Sequence, residues 1–175
     1  MKLKTKLILL TFLLVRFIFT ARFALAQDSL TVYVFLSEEC VISQNYTATL
    51  NQLNVEFKDK SIGFIGLFPN NWSNDSTIMD FAQKYNIHFK LKTDHFKTVL
   101  KKTGVSITPE AAVWSHHDER LIYRGRIDNL YERIGRRRQN ATTSELRDAL
   151  NGWLKDKNIA YSQTKAVGCF INLKN

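Results

Sequence analysis

Only two cysteines, Cys40 and Cys169, occur in the 175 residues. They allow at most one intramolecular bridge, too few for a small protein held together by a disulfide framework. No glycine-rich phosphate loop or dinucleotide fingerprint is present, so no nucleotide is indicated and no cofactor is expected. His88, His95, His116 and His117 form no zinc-ligand spacing with the cysteines, so no metal is expected either. There is no internal repeat. The one long apolar stretch, near the N-terminus, is broken by Arg16 and Arg22 and is too short for a comfortable membrane span.

What that N-terminal stretch does contain is a secretory leader pattern. Lys2, Lys4 and Lys6 form a basic start, Leu7 to Val15 an apolar centre, and Ala24-Leu25-Ala26 a small-x-small cleavage signal. Two outcomes stay open: cleavage after Ala26, or retention as an N-terminal anchor. No cysteine sits at the cleavage site, so a lipid-anchored lipoprotein is not indicated. Export to a periplasm or the extracellular space would let disulfides persist.

The chain carries 25 Lys and Arg against 16 Asp and Glu, a net charge of +9. The leader holds five of the basic residues and none of the acidic ones, which leaves 20 against 16 in the remainder. Some of that excess is local, in Arg133-Ile134-Gly135-Arg136-Arg137-Arg138. This cluster reads as a solvated loop or a contact for an anionic surface. Nucleic acid is not an expected partner of an exported protein. A membrane enters only through an uncleaved leader.

Hydrophobic periodicity gives the order of elements. Leu30–Leu36 is an apolar strand. In Val41–Phe57, apolar residues at Ile42, Tyr46, Leu50, Leu53 and Phe57 define one face of a helix. Ser61–Phe68 fits a central strand, Ser76–Tyr85 a helix capped by Asp75 or Ser76, and Phe89–Asp94 a short strand. A helix is expected from Asp94 to Lys102, then a strand over Glu110–Ser115. An exposed turn at His116–Glu119 leads to a return strand over Arg120–Arg126. Asn129–Asn140 reads as a polar loop or ragged helix. Thr142 and Glu145 have capping-box spacing at the start of a last helix that runs to about Lys155. The tail from Lys157 lacks clear periodicity. This order predicts an α/β protein with early parallel strands, a late antiparallel hairpin and helices on both faces. Sites in such sheets form beyond the carboxyl ends of parallel strands, and Cys40 lies at such an end. It also precedes a helix start, where unpaired N–H groups favour thiolate over thiol.

On these residues the chain resembles the thioredoxin-like superfamily. The matching parts are the strand ending at Leu36, Cys40 at the next helix start, and Gly104-Val105-Ser106-Ile107-Thr108-Pro109 before the hairpin. It is most similar to the redoxin branch, related to alkyl hydroperoxide reductase and thiol-specific antioxidant proteins, in its exported bacterial form. That likeness is carried by Ser37-Glu38-Glu39-Cys40-Val41-Ile42-Ser43, Thr108-Pro109, Tyr123-Arg124-Gly125-Arg126-Ile127-Asp128 and Ala166-Val167-Gly168-Cys169. The resemblance implies a three-layer α/β/α sandwich with a mixed central sheet. It implies a domain over residues 27–160, with a tail over 161–175 that carries Cys169. It further implies a cis Thr108–Pro109 peptide facing the reactive cysteine, with both residues at the substrate rim.

Two departures narrow the chemistry. A Cys-x-x-Cys oxidoreductase resolves its mixed disulfide with the second cysteine. Here that position is Ser43, which can hydrogen-bond a thiolate but cannot form a disulfide. In the peroxidase pattern Ser37 stands in for a threonine hydroxyl, while Tyr33 replaces a proline. Arg124 or Arg126, placed on one sheet face by alternation, would supply a guanidinium or else a surface ion pair. Three readings follow. Cys40 attacks a protein disulfide or a small peroxide, and Cys169 or an external thiol resolves the product. Alternatively, Cys40 and Cys169 form a permanent staple. In the third, the cysteines are separate and the domain is a non-catalytic binding module.

Overall fold

Strand β1 (Leu30–Phe35) owes its central place to alternation. Leu30, Val32 and Val34 enter one hydrophobic core, and Tyr33 and Phe35 enter another on the opposite face. The structure is a computed structural model that describes residues 30–173. The leader read from residues 1–26 lies outside them. Among the described residues no helix is long and apolar enough to cross a membrane.

Helix α1 (Val41–Phe57) follows β1, then β2 (Ile62–Phe68), α2 (Asp75–Lys84) and β3 (Lys90–Thr93). Next come α3 (Thr98–Thr103), β4 (Ile107–Thr108), β5 (Glu110–Ser115) and β6 (Arg120–Gly125). A small hairpin of β7 (Tyr131–Arg133) and β8 (Arg136–Arg137) precedes α4 (Glu145–Asp156), and β9 (Cys169–Phe170) closes the chain. The central sheet has the order β3-β2-β1-β5-β6. β1 runs parallel to β2, and β2 to β3, whereas β5 pairs antiparallel with β1 and β6. The expected mixed sheet is therefore present.

The two faces are covered unequally. On one, Ile42, Tyr46, Leu50, Leu53 and Phe57 of α1 pack with Leu146, Leu150 and Trp153 of α4 and with Ile78 and Phe81 of α2. On the other, Phe35, Leu67 and Ala112 meet Leu100, Val105 and Ile171. Helix α3 has six residues, too short to hold itself or to roof a sheet. The tail residue Ile171 completes that second roof.

Several boundaries differ from the sequence expectation. Helix α3 starts at Thr98, not Asp94. The Asp94 carboxylate accepts the Thr98 and Leu100 amides at 2.9 Å, so Asp94 caps the helix from outside. Lys97, at φ 54°, takes the left-handed turn between them. Helix α2 is capped by Asn74, whose side chain accepts from Ser76 and Thr77, so neither Asp75 nor Ser76 is the cap. The Thr142–Glu145 capping box does not form. Glu145 is the first helical residue, and its carboxylate takes Arg126 and the Thr143 hydroxyl. Residues 129–140 include the β7–β8 hairpin rather than a ragged helix. At the β5–β6 turn His117 is exposed, but His116 is half-buried with its ring nitrogen 2.8 Å from Thr31 Oγ1.

The aperiodic tail is well packed, because backbone pairing holds it. The Arg124 amide donates to Ser162 O (2.9 Å), and the Thr164 amide donates to Arg124 O (3.0 Å). Gly125, at φ +151°, leaves the room this crossing requires. A Cβ there would lie 2.5 Å from Thr164 O. From this crossing the chain returns to β4 and the start of α1.

Candidate functional site

The loop Ser37-Glu38-Glu39 turns the chain from β1 into α1, and the Cys40 carbonyl accepts the first helical bond from Gln44 N (3.0 Å). Cys40 thus holds the N-cap position. A serine or aspartate there would accept helix amides through oxygen; here sulfur faces them. Cys40 is 2% exposed. Burial alone would push its pKa up. The Cys169 thiol, the Ser43 amide and hydroxyl, and the Ile42 amide all stabilise the anion and bring the net shift down. In its neutral form the thiol donates to Thr108 O at 3.2 Å.

Cys169 reaches this place from the far end of the chain. Its sulfur lies 2.8 Å from the Cys40 sulfur, and both cysteines are free. A disulfide of about 2.05 Å needs less than about 1 Å of further sulfur movement. The two thiols are driven apart in acidity. Partial burial and the proton shared with Cys40 raise Cys169 to about 11. Cys40 is therefore the more acidic of the two thiols and the first to lose its proton.

β9 delivers Cys169 by pairing antiparallel with β4, Cys169 opposite Thr108 and Phe170 opposite Ile107. The next peptide bond, Thr108–Pro109, is cis, as the resemblance implied. Gly168 passes close to this bond, and a Cβ on it would lie 2.0 Å from Thr108 O. Ile171 anchors the segment. Its burial contributes roughly 1.5–3 kcal/mol, more than the about 0.5–1.5 kcal/mol of any single strand hydrogen bond.

Ser43 is fully buried on the first turn of α1. Its oxygen accepts the Ser37 amide at 3.3 Å, which leaves its own proton for the Cys40 sulfur. Ser37 faces another way: its hydroxyl accepts from Asn70 Nδ2 at 3.1 Å. Arg124 and Arg126 do not share a face. The positive φ of Gly125 breaks the strand's period of two, so their side chains diverge. Arg124 donates to Gly104 O (2.6 Å) and lies 3.8 Å from Glu110, while Arg126 pairs with Glu145 at the start of α4. Among the described residues neither guanidinium is hydrogen-bonded to Cys40. Glu38 turns its carboxylate to Ser73 and Thr77, with oxygens at 2.8 and 2.9 Å, away from the sulfur.

Cys40, Ser43, Thr108, Pro109 and Cys169 are thus brought together, and Ser37 and Arg124 are engaged elsewhere. Two residues near the site escaped sequence reasoning. Asn70 follows the carboxyl end of β2, the region where parallel-strand sites form, and that position could have singled it out. Glu110, directly after Pro109, accepts the Ser106 amide at 3.1 Å. Its pKa is raised by burial, against the lowering pull of that amide and Arg124.

Each cysteine's alkylation rate should follow its own thiolate fraction as pH rises. Cys40 is expected to reach half-maximal iodoacetamide reactivity at a lower pH than it would without its donors, and well before Cys169, which does so only towards 11. Mass mapping of both cysteines across a pH series measures this. Coincident profiles near about 8.5 would refute the polarised pair.

No protein-family model matches the chain, and no curated protein matches it significantly. Solved structures do. A hypothetical protein from Sinorhizobium meliloti superposes with a TM-score of 0.71 at 20% identity, covering 83% of this chain and 80% of its own. An uncharacterized conserved protein from Geobacillus kaustophilus gives 0.70 at 20% identity, over 85% of this chain and 79% of that one. A secreted Mycobacterium tuberculosis disulfide oxidoreductase, described as homologous to E. coli DsbE, gives 0.48 at 18% identity, over 75% and 84%. The likeness to the first two, at 20% identity, is one of fold. With its mixed five-stranded sheet between helical layers, the chain has a thioredoxin-like fold.

Proposed function

We propose that this protein is a thiol-disulfide redox protein in which Cys40 is the nucleophile and Cys169 the resolving thiol. The observation that carries this is the pair of free sulfurs 2.8 Å apart. Their acidities are pushed in opposite directions. The Cys40 thiolate attacks one sulfur of a partner disulfide. A new S–S bond forms, the partner's bond breaks, and its second sulfur leaves as thiolate and takes up a proton. Cys169 then loses its proton and attacks the Cys40 sulfur. The partner departs as a dithiol, and the protein holds a Cys40–Cys169 disulfide. An external thiol must reduce that bond before the next turnover.

A protein disulfide fits better than a small peroxide. β4 already holds an extended segment, β9, in antiparallel pairing that a partner's chain can take over, whereas Arg124, the guanidinium a peroxide would need, is held by Gly104 and Glu110. Ser43 supports the anion, and Thr108 and Pro109 form the rim. Ser37 acts through the loop, since its amide positions the Ser43 hydroxyl. A permanent staple is the weaker reading, because Ile171 and strand pairing dock the tail without a bond. The leader pattern supports an exported protein, periplasmic or extracellular, comprising residues 27–160 and the Cys169 tail.

The test is a stoichiometry. The reduced chain, given excess of a small aromatic disulfide, should lose two hydrogens in mass and yield a linked Cys40–Cys169 peptide pair on digestion. Two thiols still alkylatable after that exposure would sink the proposal.

A further inference from the structure

We infer that the segment Ala166–Ile171 sits where a partner's chain binds, and that the preferred partner presents an extended segment with a small residue directly before its cysteine and an aliphatic residue two positions after it. This rests on the redox reading above and adds the substrate class. Cys40 is 2% exposed, and its sulfur faces Cys169. A protein disulfide therefore meets Cys40 by taking the place of this segment.

The tail then serves as a template. β4 pairs with β9 antiparallel, and the Ile171 amide donates to Ser106 O at 3.0 Å. Backbone pairing of this kind accepts any sequence, so selectivity falls to the side chains. At the position before the cysteine, Gly168 leaves no room: a Cβ would lie 2.0 Å from Thr108 O and 2.6 Å from its carbon, both backbone atoms. Directly after it, Phe170 is 89% exposed and sets no requirement. Two positions after it, Ile171 is 6% exposed among Phe35, Leu67, Leu100, Val105 and Ala112. An aliphatic side chain fills that site; a charged one would be buried without a partner. β9 has only two residues, both exposed, and a partner segment that repeats its pairing and supplies an aliphatic side chain for the Ile171 site restores what displacement of the tail removes.

The reaction is one exchange. The Cys40 thiolate bonds to the incoming cysteine's sulfur, and the sulfur previously bonded to that cysteine leaves as thiolate. Returning Cys169 then displaces the segment as a free thiol.

The experiment uses the reduced full-length chain and hexapeptides whose cysteine carries thionitrobenzoate as a mixed disulfide. One has the sequence Ala-Val-Gly-Cys-Phe-Ile, a second has Val for its Gly, and a third has Asp for its Ile. The symmetric thionitrobenzoate disulfide is the small reference, and thionitrobenzoate release is followed by absorbance. The first peptide should react at least about tenfold faster than each altered one, the scale of losing one fitted apolar contact. Rates within about twofold of each other, with the reference disulfide reacting, would overturn this inference and leave the redox reading standing. No release from any of the four compounds would overturn both.

Discussion

Cys40→Ser is expected to bring disulfide reduction down to background, a fall of about 10³-fold or more, because an alcohol supplies no anion for attack on sulfur near neutral pH. Cys169→Ser is expected to fail differently. Cys40 keeps its place at the start of α1, with the Ser43 and Ile42 amides still behind it. The first exchange proceeds, no resolving sulfur follows, and one equivalent of mixed disulfide accumulates. A single-turnover experiment with acid quench and intact mass separates the two outcomes. Cys169→Ala adds a readout that a merely structural cysteine would not move. It removes the S–H that lowers Cys40, so the pH profile of Cys40 alkylation should shift to higher pH. A serine at 169 retains an O–H donor and should shift it less. Equal losses of stability in all three variants, with no mixed disulfide in either Cys169 variant, would instead describe a staple.

The sequence carried the frame of this site because its signals were local. The four- and three-residue spacings from Ile42 to Phe57 mark one face of α1, and that helix spans Val41–Phe57 as expected. The apolar runs at Leu30 and Ile62 give the central parallel pair for the same reason. Helix starts were less legible. Caps are chosen by competition among neighbouring polar side chains, and a hydrogen bond decides between Asn74, Asp75 and Ser76. Alternation puts Arg124 and Arg126 on one face because it assumes a regular strand, and the backbone at Gly125 is not regular. The tail was least legible. Its docking comes from backbone pairing with β6 and β4, which leaves no periodicity in the side chains, and from single residues such as Thr164, Gly168 and Ile171.

Gly168→Val should separate the two sulfurs without touching either. The new Cβ would meet Thr108 O at 2.0 Å, Thr108 C at 2.6 Å and Pro109 N at 3.1 Å. All three are backbone atoms at the rim of the site and cannot rotate away as a side-chain end could. β9 must therefore move off β4, and Cys169, paired opposite Thr108, moves with it. Resolution depends on the alignment of the sulfurs, and misplacement by about 1 Å costs on the order of 10²-fold. Mixed disulfide should thus persist about 10² times longer than in the native chain, although Cys169 is still present. The Cys40 pH profile should rise as it does in Cys169→Ala, since the same donor has left. At a pH where Cys40 is fully ionised the first attack should not slow, because the Ser43 and Ile42 amides that support the anion belong to α1 and not to the tail. Intact mass over a quenched time course measures the lifetime of the mixed disulfide. A lifetime equal to the native one would mean that Cys169 finds Cys40 without the β4–β9 pair, and that the register of that pair is not what aligns the two thiols.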